Sequence, residues 1–416
     1  MHADTIELRQ PTDDVETLRA FEAPITAAFA DDYTDEMFEV DRQLWEMDRL
    51  IGAVEGDTWV GGATAESRRL TVPGGEVRAA AISSVGVSPS HRRRGILTRM
   101  MRWLLDQTAE RGEPVAILHS SEGAIYPRFG FGLATLQGSL DIERSGLRFN
   151  RPAEPLGRVR FVDVEEGMRI IPSIYDQVRT GRPGEVTRSP VSWRLQHLTD
   201  QPWRRSSLGP KFNAVLEVGG EPRGYALYRV KAEWDERGPK SVLTVAEVTG
   251  LDAAAERSLW QWLAGVDLVT RIKAWRMPLQ HPLFLQLDDL RSLGMIVGDG
   301  IWVRLVDLPA ALAARSYAGA GHVTLEVTDA FCPSNAGRWT LDVPGDRGVA
   351  TVSAAAKGVA PDLALDTTDL ASAYLGAFTF ADLARAGRVR ECREGGLAAA
   401  DRLFITAEAP WCSTMF

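Results

Sequence analysis

A chain of 416 residues, 45% hydrophobic and 25% charged, has room for two or three domains with ordinary packed cores. Its net charge of −9 argues against general nucleic-acid binding and favours cationic partners through the summed field. No run approaches the ~18 consecutive apolar residues of a membrane span, so no membrane partner is expected.

The amino terminus lacks the basic start and apolar core of a signal peptide, so a cytoplasmic location is expected, with export by another route left open. Cys332, Cys392 and Cys412 are widely spaced and match no metal or redox motif. The histidines (His2, His91, His119, His197, His281, His322) form no H-E-x-x-H pattern, and no metal is expected.

In chain order, residues 6–9 alternate as a short strand, and 15–29 carry helical spacing after an Asp/Thr-type start. Between Asp31 and Asp48 stand eight acids against one base, Arg42, with Phe38, Leu44, Trp45 and Met47 interleaved. Two readings fit this segment. It is either a solvated helical face or an acidic, aromatic lip for a cationic acceptor, with Asp32, Glu36 and Trp45 as its contacts. Residues 50–54, 58–65, 67–72 and 79–87 read as strands of a meander joined by Gly-containing turns.

The last of these strands is small and β-branched and stops at Ser88-Pro89. A basic loop, His91-Arg92-Arg93-Arg94-Gly95, leads into a helix. Its apolar face is Ile96, Leu97, Met100, Met101, Leu104, Leu105 and Thr108. Gly112 and Pro114 end it, and 115–118 form the next strand. Strand, glycine-bearing basic loop and helix together make an anion site. The unpaired N–H groups at the helix start point at the ligand, Gly95 permits close approach, and the arginines add charge-assisted donors. Residues 133–144 alternate as a closing strand, and the first domain is expected to end near Asn150.

The run V-G-V-x-P-x-x-R-R-R-G-I-L-T, from Val85 to Thr98, resembles the acetyl-CoA pyrophosphate loop of the GNAT N-acetyltransferases. The family pattern Q/R-x-x-G-x-G/A maps onto Arg92, Gly95 and Leu97, with Leu97 departing from the last position. That departure is similar to the Eis-like (enhanced intracellular survival) branch of actinobacteria. The likeness continues through Ser120-Ser121-Glu122-Gly123 and Ile125-Tyr126-Pro127-Arg128-Phe129-Gly130-Phe131 to the terminal Phe416. The resemblance implies an α+β chain: a catalytic GNAT domain (1–150), a degenerate GNAT-like domain (151–309) and a sterol carrier protein-like domain (310–416).

The second segment is expected to repeat strands (212–218, 224–231, 242–249), a helix (251–263) and a strand (272–275). After Val248-Thr249-Gly250 comes LDAAAERSLW, with no R-x-x-G loop, so its anion cradle is expected to be lost. The third segment reads as strands at 321–329, 337–343, 349–353 and 363–366, with helices at 367–375 and 379–386.

The resemblance also assigns roles. Acetyl-CoA would lie on Val85, Gly86, Val87, Arg92, Arg93, Arg94, Gly95, Ile96, Leu97, Thr98, Ser121 and Glu122. Tyr126, a phenol that keeps its proton at neutral pH, would serve as general acid. The α-carboxylate of Phe416, ionised above a pKa near ~3.5, would serve as base. No cysteine stands in the motif region to take acetyl covalently, so transfer to the amine would be direct. The family implies a small cationic amine acceptor of aminoglycoside or polyamine type, multi-site acetylation and a homohexamer. Protein lysine or amino-terminal acetylation, and a non-catalytic acyl-CoA- or lipid-binding module, stand as the alternatives.

Overall fold

The computed structural model describes residues 6–345 and 350–416. The elements up to residue 135 are β1 (Ile6–Arg9), α1 (Val15–Phe29), α2 (Asp35–Leu44), β2 (Ile51–Glu55), β3 (Thr58–Val72), β4 (Gly75–Val87), α3 (Ile96–Glu110), β5 (Val115–His119) and β6 (Gly132–Leu133). The Asp14 carboxylate accepts the Thr17 amide at 2.9 Å and starts α1. The expected strands 58–65 and 67–72 are one strand, irregular in its pairing near Gly62–Thr64.

β1 to β4 run antiparallel, and β4 then pairs in parallel with β5 through the α3 crossover. The face of α3 that buries is Ile96, Met100, Met101, Leu104, Leu105 and Thr108. Leu97 is only partly buried. On the sheet, α1 sits over a pair of facing glycines, Gly62 and Gly86. A Cβ on Gly86 would come within 2.8 Å of the Ile25 backbone, so the close approach of helix to sheet depends on hydrogen at that position.

The structure corrects the closing strand. Only Gly132–Leu133 stays with the first sheet, at its edge, and Ile301–Leu305 lies between it and β5. Leu136–Glu143 belongs to a second seven-stranded sheet instead. An alternating strand shows which of its faces is buried but not which sheet it joins, so periodicity could not reveal this exchange.

The chain accordingly forms two units: one through Thr135, with Ile301–Ala407 and Met415–Phe416, the other Leu136–Gly300 with Glu408–Thr414. In the second unit the sheet runs Ile296–Asp299, Leu136–Glu143, Val269–Met277, Ser241–Gly250, Glu221–Lys231, Lys211–Val218, Arg158–Phe161. Helix Ala253–Ala264 joins its parallel pair, as α3 does in the first sheet. The first unit also holds a five-stranded sheet: Thr351–Ala354, Gly337–Val343, Gly321–Thr328, Leu363–Asp366 and Val389–Glu391. Helices Thr367–Tyr374, Phe380–Arg385 and Gly396–Phe404 accompany it. Val349, where a strand was expected to begin, and His2 lie outside the described residues.

Candidate active site

β4 and β5 pair only from Ala79–Val115 to Ala81–Ile117. Beyond Ala81 they diverge, and Ser84 takes a left-handed φ of 51°, a conformation a serine holds only at some cost. Val85, Gly86 and Val87, past the end of that pairing, border an opening. That opening is a cavity of 760 Å³. Its walls include Val85 to Val87, Arg92, Arg93, Gly95 to Thr98, Ser121, Glu122 and Tyr126.

The start of α3 fits an anion. Gly95 is its N-cap at φ 78° with no side chain capping the first turn, so the free N–H groups of the helix remain available. No atom lies within 4 Å of where a Cβ on Gly95 would sit. Arg92 and Arg93 are exposed and border the cavity, and neither forms an ion pair among the described residues. Arg94 does not join them. Its Nη2 donates to Glu55 Oε1 at 2.7 Å, and His91 Nε2 meets the other oxygen, Oε2, at 2.9 Å. These two contacts hold the Glu55 carboxylate below the usual range. Glu55 is thus the loop's fastener, a role for which the sequence offers no signal.

The division gives a testable contrast. Arg92→Gln with Arg93→Gln is expected to raise the acetyl-CoA KM about tenfold or more by removing two charge-assisted donors. Arg94→Gln, which only frees the loop, is expected to change it by less than about threefold. Steady-state kinetics at fixed ionic strength check both.

Tyr126 follows β5 and caps the short 3-10 turn Pro127–Phe129. Its ring packs edge-on to Phe131 at 6.0 Å, and the residue is 7% exposed. Burial, and secondarily the charge of Glu122, pushes the phenol pKa above its ordinary value. Gly130 follows at φ 85°, where a Cβ would collide with the Arg304 guanidinium. That buried arginine pairs with Asp329. Phe416 is 9% exposed and its ring lies 4.8 Å from that of His119, the last residue of β5, tilted by 48°. It stands beside the strand end that leads into Ser121, Glu122 and Tyr126, although it is not one of the residues bordering the cavity.

The acidic segment is partly consumed by the fold. Asp35 pairs with Arg19 at 2.8 Å, Asp41 accepts from the Tyr33 hydroxyl at 2.8 Å, Glu46 binds Ser67, and Asp48 binds Arg111. Trp45 lies edge-on to Phe21 and Phe38 at 6.2 and 5.9 Å and is part of a small core, not an open cation platform. Asp32 and Glu36 are exposed and make no ion pair among the described residues, but they do not border the 760 Å³ cavity.

Behind this segment, burial and the nearby Asp41 push Glu22 up to about 8. A carboxyl with a raised folded-state pKa is protonated in the fold while ionised in the unfolded chain, so stability is lost as pH rises from about 4.5 to about 8. Glu22→Gln is expected to remove that loss, worth at most a few kcal/mol. Thermal melts at pH 5 and pH 9 measure it as a Tm difference present only at the higher pH.

The comparisons with known proteins agree with this geometry. Residues 12–134 match the acetyltransferase (GNAT) domain, residues 184–305 match a second acetyltransferase (GNAT) domain, and residues 308–413 match the sterol carrier protein domain. The fold and site define a GNAT-type N-acetyltransferase carrying two such domains and a sterol carrier protein-like domain. An uncharacterized N-acetyltransferase of Streptomyces avermitilis is 41% identical over 377 residues, 89% of this chain and 91% of that one. The N-acetyltransferase Eis of Mycobacterium tuberculosis is 36% identical over 82% of this chain and 81% of its own. The crystal structure of Eis1 from Mycobacterium abscessus superposes with a TM-score of 0.82 at 32% identity, covering 99% of this chain and 100% of that one. The chain belongs to the Eis-like N-acetyltransferases, and its GNAT fold implies acetyl-CoA as co-substrate. Among the described residues, no helix is long and apolar enough to cross a membrane, and no group of three or more His, Cys, Asp or Glu could hold a metal ion.

Proposed function

We propose that this enzyme moves acetyl from acetyl-CoA directly to a primary amine of a small polycationic acceptor, of aminoglycoside or polyamine type. The observation that carries this reading is the cavity between β4 and β5, which has an uncapped helix start and two unpaired arginines at one side and Tyr126 at another. The co-substrate supplies an activated acetyl thioester. Arg92, Arg93 and the amides from Gly95 to Thr98 would hold its diphosphate, while the backbone of Val85 to Val87 and the loop residues Ser121 and Glu122 would line the acyl end.

Tyr126 would deliver a proton to the departing thiolate, and its raised pKa keeps that proton in place at neutral pH. The Phe416 carboxylate would take the proton of the incoming amine. Asp32 and Glu36, exposed and outside any ion pair among the described residues, support a cationic acceptor through long-range attraction although they do not border the cavity. By family likeness we extend the reading to multi-site acetylation, a homohexamer, a cytoplasmic location and a carboxyl-terminal domain from about residue 310 that places the terminus.

Thiol release from acetyl-CoA, measured across polyamines, aminoglycosides and lysine peptides, tests the acceptor class. A kcat/KM for polycationic small molecules at least tenfold above that for lysine peptides is expected. The reverse preference would move the enzyme to protein acetylation, and no turnover despite CoA binding would remove the proposed acceptor class.

A further inference from the structure

The second GNAT-type sheet carries its own crevice. Its parallel pair runs from Ser241–Val269 to Val245–Ala274, with a register shift after Ser241, and then separates, as β4 and β5 do after Ala81. The space beyond is a cavity of 260 Å³, walled by Val245 to Gly250 and by Trp275, Arg276, Met277, His281 and Trp411. A diphosphate cannot be held beside it as in the first sheet. The following helix is capped by Asp252, whose carboxylate accepts the Ala255 amide at 2.8 Å and pairs with Arg223 at 2.5 Å. An acid occupies the place where Gly95 leaves a cradle open.

What remains is an acyl-sized crevice whose wall holds an arginine outside any ion pair among the described residues. The carboxylates in its wall are engaged: Glu247 by Arg188 at 2.9 Å, Glu256 by His281 at 2.5 Å, Glu408 by Arg182 at 2.8 Å, and Glu185 by Ser413 Oγ at 2.9 Å. Arg179 is paired with Asp176. Arg276 forms no ion pair among the described residues, and its Nε–H donates to the Ser413 carbonyl at 3.2 Å. Burial depresses its guanidinium pKa, and the nearby Cys412 and Glu247 offset this only in part.

Two further features mark the place. Arg276 holds φ 54°, where the pairing with Leu136–Glu143 is interrupted between Ala274 and Met277, so a bulge with a strained non-glycine residue presents this arginine. The Trp411 indole Nε1 is buried without a hydrogen-bond partner, an unsatisfied donor in the wall of the cavity.

We propose that this crevice binds a small carboxylic acid with an apolar body, its carboxylate on Arg276 and its hydrocarbon or ring against Met277, Trp275 and Trp411. The site is independent of acetyl transfer at β4–β5, and its test does not use that activity. Hexanoate and benzoate, with hexanamide and benzamide as uncharged counterparts, are titrated into the full-length enzyme and followed by calorimetry and tryptophan fluorescence.

Saturable one-site binding of at least one acid is expected, with its amide weaker by about tenfold or more, since a charge-assisted pair is lost. Arg276→Met should weaken the acid about tenfold or more and leave the amide unchanged. Ala246→Phe, which fills the cavity from its rim, should weaken both. Melting curves confirm that each variant is folded, and should either variant fail to fold, the acid-against-amide comparison on the unaltered enzyme decides. Absence of saturable binding, equal affinity for acid and amide, or undiminished affinity in folded Arg276→Met would overturn the proposal.

Discussion

Adding residues beyond Phe416 is expected to lower kcat by about 10² to 10⁴, the range removed with a general base, while the acetyl-CoA KM and the melting temperature stay close to their original values. The extension turns an α-carboxylate into a neutral amide and carries the negative charge away along a flexible tail. The fold has little reason to suffer, because the preceding residues keep their own partners: Ser413 Oγ and its backbone amide stay on Glu185, and Thr414 on Arg188. Phe416→Ala separates the ring from the charge. It retains the carboxylate but loses the tilted ring contact with His119 at 4.8 Å, so a smaller loss, on the order of tenfold, is expected. Steady-state thiol release with a cleavable extension checks both, and activity should return on cleavage. Full activity in the uncleaved protein would take the terminus out of the mechanism.

For Tyr126→Phe a loss of about 10²-fold or more in kcat is expected, with KM for acetyl-CoA nearly unchanged. Phenylalanine keeps the edge-on contact with Phe131 and the buried volume, so stability should change little. The pH profile gives a second reading. Burial and Glu122 both raise the phenol pKa, so the protonated form persists above the ordinary value of about 10. The original enzyme should therefore show no alkaline limb from this group below about pH 10. A falling limb near pH 8 that vanishes in Tyr126→Phe would contradict the raised pKa, and undiminished kcat in Tyr126→Phe would contradict the general-acid role.

The sequence made the β4–loop–α3 stretch legible because several local signals coincide there: a small-residue strand, a proline stop, an R-x-x-G loop and a helical apolar face. The second and third segments are recognisable as strand-and-helix patterns, but strands Arg158–Phe161, Ile296–Asp299 and Ile301–Leu305 and helices Leu308–Ala313 and Gly396–Phe404 escape that reading. What remained hidden depends on partners distant in the chain. Arg94 looked like its two neighbours, yet Glu55, 39 residues earlier, claims it. Trp45 was read as an aromatic of a lip, whereas Phe21 and Phe38 enclose it. The twist at Ser84 carries no composition signal, since neither glycine nor asparagine marks it. Arg276 is unremarkable in sequence, because its standing outside any ion pair among the described residues depends on groups distant in the chain, such as Arg188, which engages Glu247.

The exchange of strands between the two sheets has a consequence for biosynthesis. β5 is made by residue 119, but its neighbour on the far side, Ile301–Leu305, emerges some 180 residues later. Until then the nascent catalytic sheet has an exposed edge of open N–H and C=O groups, next to buried apolar residues such as Ile117 and Leu118. Most of the second unit, Leu136–Gly300, is translated within that interval and can collapse first, so the active half is completed only after it. A fragment ending near residue 150 would stop with that edge bare, which makes self-association the natural fate of an excised first domain.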